Sequence, residues 1–221
     1  MNAEPGEFLT LLTPDEVAAL RAGGRPRRWE RGDTVMAEGE SADWVLLLTE
    51  GRVKVSSHTR AGTEVVLAVR GPGGLVGEMS AIDGSPRSAT VTALEPVEGL
   101  VVQDFATFLG THGRVAVLLM RLVTAKLRDS DRKRVEYGAY DATGRVATRL
   151  IELAERYGEQ TSGGGLRVAL PLSQDELAGW TGASREAVSK ALRTLRDRGL
   201  IETGRRRVLI HDLDGLRRRA R

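Results

Sequence analysis

A short segment from Gly77 to Thr90, called here the phosphate cassette, gathers side chains suited to holding a sugar phosphate. Arg87 can neutralise a phosphate and Ser88 can donate a hydrogen bond to it. Gly77 allows the backbone to approach closely, and a short helix that begins there would direct N–H groups at an anion. Glu78 would repel a phosphate, so it would instead accept from a ribose hydroxyl. A simple Glu78–Arg87 ion pair that closes a turn explains the same spacing equally well.

A second group of residues, near the C-terminus, predicts a helix-turn-helix. Ser173 and Glu176 have the spacing of a capping box before an apolar run, and Gly182 permits the left-handed backbone of a short turn. Ser184 caps a second predicted helix, from Arg185 to Arg198. In this unit the second helix enters the DNA major groove by its N-terminal end.

The residues predicted to be exposed on that second helix are Arg185, Glu186, Ser189 and Lys190. Arginine can donate to O6 and N7 of guanine at the same time. Glutamate can accept from cytosine N4, and lysine can donate to guanine or to phosphate. The stretch 200–210 then predicts a β-hairpin, which would form the wing of a winged helix. The alternative is a pair of ordinary packed helices whose charged residues are merely solvated.

The charge of the chain is distributed unevenly along its 221 residues. The net charge is +3, yet residues 1–110 carry −6 and residues 185–221 carry +7. An acidic front and a basic end indicate that only the C-terminal part meets a polyanion. A solvated arginine-rich tail is the alternative that charge alone leaves open.

Composition argues against several other classes of protein. The chain has no cysteine, which excludes disulfides, thiolate nucleophiles, cysteine-ligated zinc and iron–sulfur clusters, and its three histidines are scattered. We therefore expect no enzymatic activity, no metal and no cofactor. No apolar run is long enough to span a membrane and no signal peptide is visible, so we expect no membrane partner and a cytoplasmic location.

The elements that must position these residues follow from local patterns. Thr13 and Pro14 open a predicted helix that stops at Gly23 and Gly24. Short Val-, Leu- and Thr-rich stretches alternate with glycine turns from about residue 27 to 108, which is typical of an all-β sandwich or barrel. The strand candidates are 44–49, 52–56, 64–69, 89–93 and 98–102. Residues 145–157 predict another helix, and Gly158 to Gly165 predict a flexible loop.

Residues 112–137 predict one long helix with two apolar faces. One face has heptad spacing and consists of Met120, Val123, Leu127, Ser130, Arg134 and Tyr137. The other consists of Val115, Leu118 and Leu122. Such a helix would contact both its own β domain and a partner helix. A plain amphipathic helix packed only on its own domain is the rival interpretation.

Taken together, these segments resemble the CRP/FNR family over nearly the whole chain. The phosphate cassette resembles that of cyclic-nucleotide-binding domains, residues 172–201 resemble the family's winged helix-turn-helix, and residues 141–146 resemble its hinge. The resemblance implies an α+β fold: an N-terminal cupin-like β-roll (1–110), a dimerisation helix with hinge (111–140), and a C-terminal winged helix-turn-helix (141–221).

The resemblance also implies roles for individual residues. Gly77, Met79, Arg87 and Ser88 would hold the cyclic phosphate of cAMP or cGMP, and Glu78 the ribose 2′-hydroxyl. The full predicted nucleotide set is Gly77, Glu78, Met79, Ser80, Arg87, Ser88, Ser130 and Asp131.

The last two residues of that set fall where cAMP-responsive members touch the purine. Asp131 departs from the family's hydroxyl residue. Its carboxylate could accept from N1–H and N2–H₂ of guanine, whereas adenine offers it only the N6 amine, so cGMP stays an alternative to cAMP. Intrahelical pairing of Asp131 with Arg128 or Arg134 is an equally good interpretation.

For the DNA reader, the resemblance implies that Arg185, Glu186 and Lys190 meet base edges while Ser173 and Ser184 meet phosphates. The predicted DNA set is Ser173, Gln174, Ser184, Arg185, Glu186, Ser189 and Lys190. Lys190 occupies a position where many members have arginine, and lysine cannot make the paired hydrogen bonds that a guanidinium makes to a base. The partners implied are a palindromic DNA operator, a second copy of the chain and, as a further candidate, RNA polymerase.

Two other functions fit the sequence less well. The first keeps the DNA-binding scaffold but has a vestigial pocket or another effector. The second is a cyclic-nucleotide-binding regulatory subunit without a role at DNA.

Overall fold

The computed structural model describes residues 8–60, 62–169, 172–204 and 206–220. These residues form two units. Unit 1 holds the described residues through Ser57 together with Leu67–Asp131, and unit 2 holds His58–Val66 and the described residues from Arg132 onward.

The N-terminal elements of unit 1 are a 3-10 turn, Leu9–Leu11, and helix α1, Pro14–Gly23. Thr13 caps α1: its side chain accepts from the N–H of Glu16, whose own side chain accepts from the N–H of Thr13. The predicted capping box is therefore confirmed.

Eight strands follow in two four-stranded sheets, which confirms the predicted β-roll. The sheets have the orders β1-β8-β3-β6 and β2-β7-β4-β5. The strands are β1 Gly24–Trp29, β2 Thr34–Met36, β3 Val45–Glu50, β4 Val53–His58, β5 Glu64–Arg70, β6 Leu75–Val76, β7 Thr90–Ala93 and β8 Val97–Val102. The sequence patterns did not predict β1, β2 and β6, which are short or rich in polar residues.

Strand β3 shows how the roll is built, because all of Val45–Leu48 is buried. Side chains of a strand alternate between its two faces. Leu46 and Leu48 join a cluster that lies inside the roll with residues such as Val53 and Val91. Val45 and Leu47 join a second cluster on the opposite face, which includes residues of the helices.

Three helices complete this part of the chain: α2 (Glu78–Asp83), α3 (Phe105–Thr111) and the long α4 (Gly113–Ala139). Val115, Leu118 and Leu122 of α4 are buried in the second core cluster. Helix α3 was not predicted, because its short apolar sequence resembles the strands before it.

The C-terminal elements form a mixed helical and β arrangement in unit 2. They are α5 Ala142–Tyr157, β9 Gly158–Gln160, β10 Leu166–Ala169, α6 Gln174–Thr181, α7 Arg185–Asp197, β11 Ile201–Gly204, β12 Arg207–Ile210 and α8 Leu213–Arg219. The four strands make one sheet of order β11-β12-β10-β9.

The prediction that Gly158 to Gly165 is entirely loop is wrong. Residues Gly158–Gln160 form a strand, because their backbone pairs with β10 despite a sequence without apolar alternation. Adding a Cβ at Gly158 would bring it within 2.3 Å of the carbonyl oxygen of Ala154. Glycine at this position therefore allows the strand to start directly at the end of α5.

In the described ranges, none of the helices combines the length and the apolar character that crossing a bilayer requires.

Candidate functional site

The phosphate cassette begins at a glycine that no other residue could replace without distortion. Gly77 has a φ of 85° and precedes the first turn of α2. A Cβ there would lie 2.7 Å from Nη1 of Arg87 and 2.8 Å from Cε of Met36. The missing side chain is what lets the arginine reach the start of the helix.

Arg87 is a buried cation whose hydrogen bonds go to neutral acceptors. Only 4% of its surface is exposed. Its Nη1 donates to the carbonyl of Gly77 (2.7 Å) and to Oγ of Ser80 (2.6 Å), and its Nη2 donates to the carbonyl of Trp44 (2.6 Å). The guanidinium also lies 4.9 Å from the centre of the Trp44 ring. These contacts fix a positive charge beside the N–H groups of α2.

Burial and the neighbouring carboxylates act on the pKa of Arg87 in opposite directions. Burial lowers the pKa of Arg87, while the charges of Glu78, Asp43 and Glu40 oppose that shift. Arginine stays protonated in proteins even so, so the charge is present but poorly solvated. A bound anion would compensate the lost solvation.

Glu78 is also buried, at 3% exposure, and its partner is Lys126 of α4 rather than Arg87. The Nζ of Lys126 lies 2.7 Å from Oε1 of Glu78 and 3.4 Å from the carbonyl of Leu75. Burial lowers the pKa of Lys126, the Glu78 charge raises it, and the charge of Arg70 lowers it further. The alternative of a Glu78–Arg87 ion pair is therefore wrong.

Sequence reasoning missed Lys126, although a signal for it exists. The buried residues of α4 include Leu118 and Leu122, and Lys126 extends that row by four more positions. Positions three or four apart share one face of a helix. The spacing of Leu118 and Leu122 therefore predicts that Lys126 also faces the β-roll.

The structure brings together only some of the residues predicted to bind a nucleotide. Ser80 is buried against Arg87, and the side chains of Met79 and Ser88 are exposed. Ser130 and Asp131 are exposed on α4, four and five residues after Lys126. Their roles toward a nucleotide stay predictions.

In unit 2, helices α6 and α7 form the predicted helix-turn-helix. Ser173 caps α6 in a reciprocal capping box with Glu176. Gly182, with a φ of 58°, ends α6 in the left-handed conformation. Ser184 then caps α7 by accepting from the N–H of Ala187 at 3.2 Å.

Helix α7 has one buried and one exposed face. Its buried residues are Val188, Ala191, Leu192 and Leu195. Arg185, Glu186 and Lys190 are exposed, whereas Ser189 is half-buried. The residues predicted to read bases therefore lie on the surface of the helix near its N-terminus, together with Ser184.

Two of these side chains have partners within the protein, and contacts to DNA would have to replace those partners. Arg185 makes an exposed ion pair with Asp175, with Nη1 3.6 Å from Oδ2. Ser189 donates to Oε1 of Gln174 at 2.9 Å. The N–H of Glu186 itself and the hydroxyl of Ser184 lower the pKa of the Glu186 carboxyl, so Glu186 is an anionic acceptor at neutral pH.

The last turns of α4, which lie in unit 2, are tied to the turn of this motif. Tyr137 donates from its hydroxyl to the carbonyl of Trp180 at 3.3 Å, and a Cβ at Gly182 would lie 2.8 Å from the Tyr137 ring. Glu136 and Arg149 form a buried ion pair nearby. Movement of the end of α4 would therefore pull on the turn between α6 and α7.

Comparisons with known protein families match both parts of the chain. Residues 26–111 match the cyclic nucleotide-binding domain and residues 144–219 match the Crp-like helix-turn-helix domain.

Curated relatives cover almost the whole chain. One is the CRP-like cAMP-activated global transcriptional regulator of Mycobacterium tuberculosis, 36% identical over 95% of this chain and 94% of the relative. Another is the cyclic AMP receptor protein of Thermus thermophilus, 30% identical over 87% of each.

Solved structures agree with this assignment. A CRP family transcriptional regulator of Thermus thermophilus has a TM-score of 0.74 at 30% identity and covers 88% of this chain and 96% of its own. FixK2 of Bradyrhizobium japonicum shares the fold, with a TM-score of 0.78 at 23% identity over 88% of this chain and 96% of its own. The chain therefore belongs to the CRP/FNR family of DNA-binding transcription regulators.

Proposed function

We propose that the chain acts as a homodimer that binds a cyclic nucleotide in the phosphate cassette and a palindromic operator with α7. The observation that carries the nucleotide part is Arg87, a buried guanidinium held at the start of α2 by neutral acceptors. The domain boundaries at residues 110 and 140 stay predictions within this scheme. A regulator of this kind works where the DNA is, so we also propose a cytoplasmic location.

In the proposed complex the cyclic phosphate lies between Arg87 and the first turn of α2. The first N–H groups of a helix have no partner within it, so Met79 would contribute its backbone N–H while its side chain stays exposed. Ser88 would donate its exposed hydroxyl. Ser80 orients the guanidinium of Arg87 by accepting from Nη1.

Glu78 would accept from the ribose 2′-hydroxyl. Its hydrogen bond from Lys126 holds the carboxylate in place in a buried setting, and hydrogen bonds to ionised acceptors are strong. Lys126 belongs to the helix that also carries Ser130 and Asp131. Through this pair the ribose contact is linked directly to α4.

We propose that the nucleotide is cAMP and its base adenine, because the names of two relatives contain cAMP or cyclic AMP. The second candidate is cGMP, because the exposed carboxylate of Asp131 suits the N1–H and N2–H₂ groups of guanine. Adenine offers it only the N6 amine. Ser130 would donate to either base.

The homodimer is proposed from the exposed half of α4. Met120 and Leu127 are 61% and 62% exposed, and Val123 is 37% exposed, although all three are apolar. Their heptad spacing is that of a coiled-coil seam. The rival interpretation, a helix packed only on its own domain, leaves these three side chains unexplained.

At DNA, Arg185, Glu186 and Lys190 would contact base edges, and Ser173 and Ser184 would contact phosphates. Gln174 and Ser189, which bond one another, lie beside this surface. A dimer reads two half-sites roughly 34 Å apart, one turn of DNA. A nucleotide shifts the population toward this arrangement only if it binds this arrangement more tightly than the other arrangement of the dimer. RNA polymerase is a further proposed partner.

Isothermal titration of the purified protein with cAMP and with cGMP tests the nucleotide site. Arg87→Lys should weaken binding by at least about tenfold, because lysine cannot make the three directed hydrogen bonds. Arg52→Lys is the matched control, since Arg52 is a buried arginine of the same roll that pairs with Glu95. Equal losses in the two variants, or no binding of either nucleotide by the parent, would contradict the proposal.

A further inference from the structure

We propose that unit 1 contains a second ligand site, separate from the phosphate cassette, that takes a small amphipathic anion. The site is a pocket of about 330 Å³ on the helix-covered face of the β1-β8-β3-β6 sheet. Small-molecule sites have volumes of roughly 300–1,000 Å³, so the space suits a compact ligand. It shares no lining residue with the cassette.

The floor of the pocket follows from strand register. Pro26 of β1 is opposite Leu100 of β8, and Leu100 is opposite Leu47 of β3. Opposed residues project from the same face of a sheet, so these three form an apolar row across three strands. Leu9 and Val17 cover the row from the N-terminal turn and from α1.

The next row along the same strands is polar. Arg28 is opposite Glu98, and the two side chains form an exposed ion pair of 3.4 Å. Thr49 of β3 lies at the same end of the pocket. The pocket therefore has one apolar end and one end that can hold a charged group.

One arginine of the lining, Arg21 of α1, offers its positive charge to a ligand. Arg21 and Arg28 line it on the pocket face, and Arg28 is already paired with Glu30 and with Glu98, at 3.4 Å in each case. Arg27 alternates with Pro26 and Arg28 along β1, so its side chain projects from the opposite face of the sheet, 5.6 Å from the Trp29 ring. Within the described ranges, Arg21 makes no ion pair. The guanidinium of Arg21 is thus available to an incoming anion, and hydrogen bonds between ions are the strong ones.

These features define the chemistry of the ligand. A bare phosphate would leave the apolar row unused, and a hydrocarbon would leave the guanidinium of Arg21 unused. A short acyl chain that ends in a carboxylate satisfies both ends at once. This site is independent of the nucleotide proposal, because it uses other residues on another face of the roll.

The probe for the test is octanoate, titrated into the full-length protein by calorimetry, with octanamide and acetate as comparisons. We expect octanoate to bind at least about tenfold more tightly than octanamide, which lacks the charge, and acetate not to bind. Equal binding of octanoate and octanamide, or no binding of octanoate, would overturn the proposal.

Variants locate the binding event. Arg21→Glu should weaken octanoate binding by at least about tenfold, and Thr49→Trp should abolish it by filling the polar end. Arg25→Glu makes the same charge change on β1 without lining the pocket, so it should bind octanoate like the parent. All variants should keep the melting temperature and the cAMP affinity of the parent. Weakening by Arg25→Glu as large as by Arg21→Glu would mean that general charge attraction, not the pocket, holds the anion.

Discussion

Lys126, in the middle of α4, donates from Nζ to Oε1 of Glu78, the first residue of α2, over 2.7 Å. Both side chains are largely buried, at 21% and 4% exposure. Removing one member of a buried ion pair leaves the other charge without compensation and costs about 3 kcal/mol. We therefore expect Lys126→Met and Glu78→Gln each to lower the free energy of unfolding by roughly that amount.

A double-mutant cycle makes the expectation specific. The loss in the double variant should be smaller than the sum of the two single losses by about 1–3 kcal/mol, because the second substitution removes a charge that is already unpaired. Urea denaturation of the nucleotide-free protein measures all four free energies. Additive losses would show that the two side chains do not interact.

Gly77 and Gly84 flank α2 and provide a matched pair of substitutions. Both have positive φ, 85° and 70°, but a Cβ at Gly84 would meet nothing within 4 Å, whereas one at Gly77 would meet Arg87. Each change to alanine should cost about 1–2 kcal/mol of stability from the backbone alone. Only Gly77→Ala should also displace the guanidinium.

Cyclic nucleotide affinity, measured by calorimetry on both variants, separates the two effects. Gly77→Ala should lose at least about tenfold in affinity, and Gly84→Ala should stay close to the parent. If both variants bound the nucleotide equally well, the position of Arg87 beside Gly77 would be irrelevant to binding.

Leu127 tests the role of the exposed seam of α4. Leu127→Glu places a charge opposite its symmetry mate in the proposed coiled coil, so the dimer should dissociate to monomers. Arg121→Glu is the control, because Arg121 is exposed on the same helix but outside the heptad positions. Sedimentation equilibrium gives the mass of each variant. A dimeric Leu127→Glu protein would exclude this seam as the dimer interface.

The lowered pKa of Asp141 leads us to expect that the free energy of unfolding depends on pH. Asp141 caps α5 by accepting from the N–H of Gly144 at 2.7 Å and pairs with Arg219. The Arg219 hydrogen bond and then the Gly144 N–H hold the pKa of Asp141 below its ordinary value of 3.8. In acid the unfolded chain thus binds more protons at this site than the folded chain does. The stabilisation is complete above the ordinary pKa and is lost as the pH falls through the lower, folded one.

Asparagine at position 141 keeps the capping oxygen but not the charge. Asp141→Asn should melt below the parent at neutral pH, and the difference should shrink in strong acid. Asp197→Asn, at the exposed end of α7, is the control and should not show this pattern. A melting difference that is constant with pH would mean that the charge of Asp141 contributes nothing.

Much of the fold was predictable because local patterns and burial agree. The capping residues Thr13, Ser173 and Ser184, the turn at Gly182 and the buried row Val115, Leu118 and Leu122 were all predicted. Strand β9 was missed, because its pairing with β10 is made by backbone groups that a side-chain pattern does not reveal.

The candidate site was only partly predictable. The residue types of the phosphate cassette were visible in sequence, but the partner of Glu78 was not, since Lys126 lies 48 positions away and long-range pairing leaves no local spacing. Arg87 also donates to the backbone carbonyl of Trp44. Because every residue has such a carbonyl, the residue type gives no signal for this contact.

Fluorescence anisotropy tests most directly whether α7 reads DNA under the control of a nucleotide. The duplex for this measurement is selected from a random library by the full-length protein in the presence of cAMP. We expect a two-fold symmetric site and tighter binding with the nucleotide than without it. Arg185→Ala should lose about 1–3 kcal/mol of binding free energy, whereas Arg198→Ala, at the other end of the helix, should not. Selection of no symmetric site, or equal affinities for the parent and Arg185→Ala, would contradict this expectation.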